Sequence, residues 1–415
     1  MPSIARKNLL EDIPRFIVAQ AGIMFAVSLV TIQTGILSGF TRSTVLLIEG
    51  SDADIWVASD KMVQFELTEP LLYEQVDRVQ QVTGVDRAEA LFLGSGRWRP
   101  PEGETSPLKL VGFDPAGVLF QPGTLTQGSL EALQQPYAVM VDQSRLPSLE
   151  VSKIGESARV GDLPAQLVAL TEGSQSIAAS TFLYSSLDTA NTYANAGFTS
   201  RLKCQIQPGG NANCTNVYEK SDEPPDPNTV PPTRPPSGTD PITYILVSVQ
   251  SGEDIAQVQR RIEAALPGTV AKTTAEMSLM TRDYWEKRTG LGFVLGLGAA
   301  VGVVVGAIVV AQILYSSVSD HLREFGTLKA MGAADRVLYG IIVEQSLWMA
   351  VLGYIPGMIL CGGVSAWAAT KGIIILISPL SALGVLGITV VMCVGSAFFA
   401  IQKVTRIDPA MVFKA

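Results

Sequence analysis

Few residues in this chain are equipped for covalent chemistry, and their spacing is informative. His321 is the only histidine, so the sequence offers neither a His-based general base in its polar middle nor a Cys/His metal cluster. No G-x-x-x-x-G-K-[ST] stretch is present to wrap nucleotide phosphates, and no G-x-S-x-G nucleophile turn occurs. Close carboxylates such as Asp52 and Asp54 read as decoration of a strand face. Of the four cysteines, Cys204 and Cys214 lie ten apart in polar sequence, whereas Cys361 and Cys393 fall within apolar runs. In an oxidising compartment the first pair can close a small disulfide loop, although spacing alone does not show that their Cβ atoms meet. The second pair read as small packing residues. The expectation is therefore no catalytic site, no metal and no cofactor held by the chain itself.

What remains is a segment suited to contact. SVSDHLREFGTLKAMGAADR places Leu322, Phe325 and Leu328 within a ~120° arc of a helix, with Arg323, Glu324 and Thr327 on the other side. Gly332 suits the helix C-terminus. Taken alone, this is a modestly amphipathic helix of the kind that rests on a membrane surface.

The elements around that segment are set by where charge is missing. The chain is 47% hydrophobic and only 16% charged, against ~25% charged in an ordinary soluble domain. Residues 16–40 carry no charge and exceed the ~20 needed to cross a hydrocarbon core of ~30 Å. Three more apolar runs follow, at 289–315, 338–368 and 380–402, the third containing Pro356. The expected fold is four transmembrane helices with a large α+β extracytoplasmic domain, 41–288, inserted between the first and second. Residues 49–289 hold 31 of the 38 acids and 19 of the 30 bases, a net of −12, and the remainder is +4. An acidic domain with basic membrane flanks argues against nucleic acid as a partner.

Short basic flanks set the orientation. Arg6, Lys7 and Arg15 precede the first span; Arg323, Lys329 and Arg336 lie in the 316–337 loop; Lys403, Arg406 and Lys414 follow the fourth span. Both termini (1–15 and 403–415) and the 316–337 loop are expected in the cytoplasm, with the large block outside. Residues 1–15 suit a short interfacial helix ending at Pro14, or a basic tail that only fixes topology.

Within the external block, ADIWVAS alternates like a half-buried strand, residues 69–81 suit a helix with Pro70 in its first turn, and PITYILVSVQ with DIAQVQRRIEAAL supplies a strand and a helix ended by Pro267 and Gly268. The two ends, 50–115 and 241–285, resemble halves of one α+β subdomain split by an insertion, 116–240. Residues 221–238, with seven prolines and no aromatic residue, read as a mobile or polyproline loop. In the second apolar run Gly298, Gly302 and Gly306 recur every four residues and form a smooth stripe. It suits either a dimer or intra-bundle interface that slides or static packing inside one chain.

HLREFGTLKAMGA resembles the segment after the second span of MacB/FtsX-like ABC-transporter permeases, R-x-R-E-x-G-x-L/R-x-A-x-G. It matches at Arg323, Glu324, Gly326, Leu328, Ala330 and Gly332, and departs at His321, where that family commonly has Arg. The ending IDPAMVFKA resembles the family's C-terminus, and the order of one span, a large domain and three spans is also the family's. AGIMFAVSLVTIQTGILSGF and SDADIWVAS look most like the DevC branch. The resemblance implies that His321, Leu322, Arg323, Glu324, Phe325, Gly326, Leu328, Lys329, Ala330 and Gly332 form a coupling helix that docks on a nucleotide-binding subunit, and that the external domain divides into a porter and an inserted sabre part. It implies a non-catalytic permease in a bacterial inner membrane, with a second copy of itself and a separate cytoplasmic ABC ATPase that carries ATP and Mg. A periplasmic adaptor (membrane-fusion protein) and a TolC-like outer-membrane channel would complete an exporter of lipid, glycolipid or another amphiphile. An FtsX-like regulator of periplasmic cell-wall hydrolases and a lipoprotein-release permease share the plan. Replacing Glu324 or Gly326 is expected to uncouple ATP hydrolysis from transport while leaving the fold intact.

Overall fold

A computed structural model describes residues 13–176, 178–195, 198–206, 212–220, 231–288, 290–369 and 374–405, without the side chains of 198–206, 212–220, 323 and 403–405. The rest of the terminal segments, residues 1–12 of the expected interfacial helix among them, lie outside the described residues. Helix α1 (Ile13–Ser43) opens the described chain. Pro14 lies within this helix.

Two compact units form, Phe40–Arg288 and the flanking sequence. The first contains a helical turn at Leu46–Glu49, then β1 (Ile55–Ser59), β2 (Leu71–Leu72), α2 (Glu74–Gln80), β3 (Val85–Arg99), β4 (Ser106–Phe113), β5 (Thr124–Gln127), β6 (Ala138–Asp142), β7 (Ser157–Val160), β8 (Leu163–Glu172) and β9 (Thr181–Ser186). There follow α3 (Leu187–Ala194), β10 (Phe198–Ile206), β11 (Ala212–Lys220), β12 (Pro241–Ile242), β13 (Tyr244–Val249), α4 (Ile255–Ala265), β14 (Thr269–Thr273) and α5 (Thr274–Arg288). The main sheet has the order β14-β1-β13-β3-β4-β9-β6-β8-β5, with β7 bridging β3 and β8.

Strand β3 joins the two parts of this unit. Its first half pairs with β13, from Val85 to Leu91, and its second half with β4, from Phe92 to Trp98. The main sheet thus changes partners along β3 near residue 91. The reason is length: fifteen residues are enough for two successive partners.

Strand β1 is buried along its whole length, where alternation suggested one wet face. It lies between β13 and β14, with Ile55 and Val57 in one apolar cluster and Trp56 and Ala58 in another. Both faces are covered, so its small alternate residues are packing residues. Trp56, Phe65 and Tyr244 form an aromatic triad in which Trp56 meets Tyr244 edge-on at 5.4 Å between centroids, and the Tyr244 hydroxyl donates to the Phe65 carbonyl at 2.6 Å. Burying each such side chain contributes about 1.5–3 kcal/mol. The expected helix over 69–81 is shorter, because Leu71 and Leu72 pair with Ile242 and Pro241. Helix α4 starts where the Asp254 carboxylate accepts the Ala256 N–H at 3.1 Å and seats Val258 and Ile262 on the sheet.

The end of the proline-rich segment is pinned. The Tyr137 hydroxyl donates to the Pro231 carbonyl at 2.6 Å, and the Arg234 N–H donates to Thr192 Oγ1 at 3.1 Å. The Arg234 guanidinium donates to both oxygens of the fully buried Asp240, at 2.8 and 3.0 Å. Residues 231–240 therefore form a strap with specific partners; 221–230 of the expected mobile or polyproline loop lie outside the described residues.

The second unit combines α1 with α6 (Leu291–Asp320), α7 (Leu322–Ala330), α8 (Asp335–Ala369) and α9 (Pro379–Thr405). Four of these, α1, α6, α8 and α9, are long and apolar enough to cross a membrane. Helix α8 continues through Pro356 without a break. Polar side chains tie the helices together: Ser396 Oγ donates to the Ala307 carbonyl and Tyr354 Oη to the Ala382 carbonyl, both at 2.8 Å. Between α8 and α9 the chain lies against α1, with the Leu376 N–H donating to the Gly35 carbonyl at 3.0 Å and no room for a Cβ at Gly39 beneath Ile374.

Candidate functional site

The turn between α6 and α7 is made by His321, which ends one helix and begins the next with φ −98° and ψ 18°. From there the sequence period places Leu322, Phe325 and Leu328 inward. Phe325 is 2% exposed and packs in the bundle core with Val318 and Leu338, and the two leucines pack at its edge. Burial of Phe325 anchors α7 to the bundle, so α7 is more than a helix resting on a surface.

The far end of α7 is closed by its backbone. Gly332 adopts φ +90°, its N–H donates to the Lys329 carbonyl at 3.1 Å, and the Ala333 N–H donates to the Leu328 carbonyl at 3.0 Å. This pair of bonds around a left-handed residue is the Schellman arrangement, which favours glycine at that position. Lys329 Nζ lies 3.4 Å from Asp335 Oδ1, tying α7 to the start of α8.

What faces outward is Glu324, Thr327, Ala330 and Met331, the last 71% exposed. His321 is mostly covered, with Nδ1 3.7 Å from Glu324 Oε1, beyond a hydrogen bond. Gly326 is buried beside Phe325. Glu324, by contrast, is exposed. Next to this corner Arg15 pairs with Asp320, clipping the start of α1 to the end of α6.

The glycine stripe faces α1 of the same chain. A Cβ at Gly302 would lie 2.8 Å from Leu29 Cδ2, one at Gly306 2.7 Å from Ala26 Cβ, and one at Gly298 would collide with the Gln33 carboxamide. Gly22 reciprocates, where a Cβ would meet Val309 Cγ1 at 2.6 Å. The helices run antiparallel along this seam. This face therefore has neighbours within its own chain. The opposite face of α6 is exposed through Phe293, Leu297, Val301, Val304 and Ile308.

Sequence reasoning missed a cleft of about 400 Å³ in the external unit, lined by Tyr73, Arg87, Phe113, Asp114, Asp188 and, from the strap, Pro235. Burial and the nearby Asp114 carboxylate push the Asp188 carboxyl above its usual range. Burial, with Asp77, Asp114 and Asp188 around it, raises the Tyr73 phenol. No local signal joins Asp114 to Asp188; only the parallel pairing of β4 with β9 brings their ends together. Cys204 and Cys214 are opposite one another in the β10–β11 pair. Among the described residues no group of three or more His, Cys, Asp or Glu is arranged to hold a metal.

Comparison with known proteins gives two matches to family models: the MacB-like periplasmic core domain over residues 16–265 and the FtsX-like permease C-terminal domain over 296–409. An ABC transporter permease of Methanocaldococcus jannaschii is 27% identical over 179 residues, 40% of this chain and 44% of that protein. The macrolide export ATP-binding/permease protein MacB of Nitrobacter winogradskyi is 25% identical over 176 residues, 41% of this chain and 27% of that protein. The pyoverdine export ATP-binding/permease protein PvdT of Pseudomonas syringae pv. tomato is 22% identical over 170 residues, 40% and 26% respectively. The matched part thus spans less than half the length of these relatives. Among solved structures, the periplasmic region of MacB from Actinobacillus actinomycetemcomitans covers 59% of this chain at 11% identity and a TM-score of 0.34, with 97% of that chain covered. The extracellular domain of the transporter YknZ covers 53% at 11% identity and a TM-score of 0.33, with 98% of that chain covered.

Proposed function

The chain belongs to the family of MacB-like, FtsX-like permeases, and we propose that it is the non-catalytic permease subunit of an ABC exporter. In this reading two copies pair in a bacterial inner membrane, with both termini and α7 in the cytoplasm and residues 41–288 in the periplasm. A separate ATPase subunit holds ATP and Mg, and its closure on nucleotide pushes the exposed side of α7. The observation that carries the proposal is the build of α7: anchored inward by Phe325, closed by the Gly332 cap, and presenting Glu324, Thr327 and Met331 outward.

A push on a helix held this way moves the ends of α6 and α8 with it, because close-packed interiors transmit displacement. At the start of the external unit, Phe40 meets Trp285 edge-on at 5.7 Å, and Arg282 pairs with Glu49. These contacts hold the entry and the exit of the external unit's own chain beside each other. A two-state bundle biased from both ends is the physical requirement. The cargo is an amphiphile, lipid or glycolipid, passed to a periplasmic adaptor and an outer-membrane channel.

The test is co-purification of the full chain with a subunit that hydrolyses ATP, followed by reconstitution in vesicles. A stoichiometric ATPase whose turnover depends on the permease, and loses that dependence in Glu324→Ala, supports the proposal. A cell-wall hydrolase bound to the external domain and activated by ATP, with no lipid efflux, would replace it with the regulator reading.

A further inference from the structure

Strands β10 and β11 pair antiparallel over nine positions, from Phe198 opposite Lys220 to Ile206 opposite Ala212, and Cys204 stands directly opposite Cys214. Directly opposed residues of an antiparallel pair have Cα atoms ~4.5 or ~5.5 Å apart, depending on whether the site is non-hydrogen-bonded or hydrogen-bonded. Both values fall within the ~4.4–6.8 Å that a disulfide spans. We propose that Cys204 and Cys214 are joined by a disulfide across this ribbon.

The register supplies a second argument. The positions sharing a ribbon face with the cysteines are Phe198, Ser200, Leu202 and Ile206 on β10, and Ala212, Asn216, Tyr218 and Lys220 on β11. The alternate face holds Thr199, Arg201, Lys203 and Gln205 against Asn213, Thr215, Val217 and Glu219. The cysteines therefore occupy the more apolar face of an amphipathic ribbon. Among the described residues this ribbon pairs with no third strand, and an isolated two-stranded ribbon is marginal in water. A covalent link at one opposed pair fixes the register, since a slip of one residue would put the two cysteines on opposite faces.

The chemistry is disulfide exchange in the external compartment, where such bonds persist. The thiolate of one cysteine attacks the disulfide of an oxidised dithiol carrier and forms a mixed disulfide; the second thiolate then displaces the carrier sulfur. The chain loses two electrons and two thiol protons, and the carrier leaves as a dithiol. The bond rests on the domain lying outside the cytosol, as the proposed function has it, so the test reads topology separately.

Membranes containing the full chain are alkylated with N-ethylmaleimide, with and without dithiothreitol, and the cysteine peptides are analysed by mass. The expected result is that Cys204 and Cys214 are blocked until reduction and appear as one linked pair of peptides lighter by two hydrogens. Amide exchange across β10–β11 should quicken by about a hundredfold on reduction, with β3 and β4 unchanged. Alkylation of both thiols without reductant overturns the proposal, as does a reducible dimer on a gel, which would place the bond between chains. A Thr124→Cys reporter in a Cys204→Ser, Cys214→Ser background, probed in intact cells with a membrane-impermeant maleimide, tells the causes apart. If the reporter labels while the native pair is free, only the disulfide fails; if it is shielded, the external placement fails with it.

Discussion

Gly306 of α6 lies so close to Ala26 of α1 that a Cβ on the glycine would stand 2.7 Å from the alanine Cβ. At Gly302 the nearest obstacle is Leu29 Cδ2, the end of a flexible side chain. The two glycines therefore differ in tolerance. Gly306→Ala should destabilise the bundle by about 1–3 kcal/mol, and Gly302→Ala by less, because Leu29 can change rotamer. Thermal unfolding in detergent checks the order, and equal melting temperatures would contradict the seam.

Phe325 and Glu324 are adjacent, yet one is buried and the other points away from the bundle. Phe325→Ala removes the inward anchor and should cost about 3–5 kcal/mol. Glu324→Ala should change stability by less than ~0.5 kcal/mol while lowering ATPase stimulation several-fold. A Glu324 variant that melts early, or a Phe325 variant that melts normally, would reverse the assignment of faces.

Asp240 is buried, and burial opposes its ionisation, but the Ser237 N–H and the Arg234 guanidinium outweigh that and hold its carboxyl below the usual range. A carboxyl with a depressed folded pKa lends stability above its unfolded pKa, and that stability fades as pH falls through the folded value. Arg234→Ala should loosen the strap by about 1–3 kcal/mol, nearer the lower figure because the guanidinium is half-exposed. It should also move the acid loosening to higher pH. Amide exchange at Ser237 as a function of pH measures both effects, and an unchanged acid limb would show that the pair does not hold the strap.

Asp188 shifts in the opposite direction, raised by burial and by Asp114. Its folded form binds a proton more tightly than its unfolded form, so stability declines as pH rises from the unfolded pKa through the folded one. Asp188→Asn should therefore flatten that slope and melt no lower than the native chain at neutral pH. A steeper slope in the variant would mean that the charge is welcome in the cleft.

The legible parts of this fold are those written in one run of sequence. Phe325, Leu322 and Leu328 disclose the inner side of α7 by period alone, and Gly332 discloses its end by residue type. Distant partners are another matter. The stripe at Gly298, Gly302 and Gly306 was readable, but not its occupant, because Ala26 and Leu29 are as unremarkable as any lipid-facing residue. Strand β1 looked half-wet because alternation of Ile55, Trp56, Val57 and Ala58 cannot report a second covering layer. The strap's partners are not legible in its own composition, because its hold depends on Tyr137 and Thr192 as well as Asp240, up to 94 residues away. The cleft carboxylates Asp114 and Asp188 are joined only by strand pairing.

One strand, β3, hands its hydrogen bonds from β13 to β4 at mid-length, over fifteen residues, a span of ~50 Å. It acts as a splint: neither half of the external unit can pivot on the other without breaking rungs along the same continuous backbone. A load applied on the β13 side of the sheet is therefore expected to reach the β4 side as tilt of a single plank, with little lost to bending between the halves.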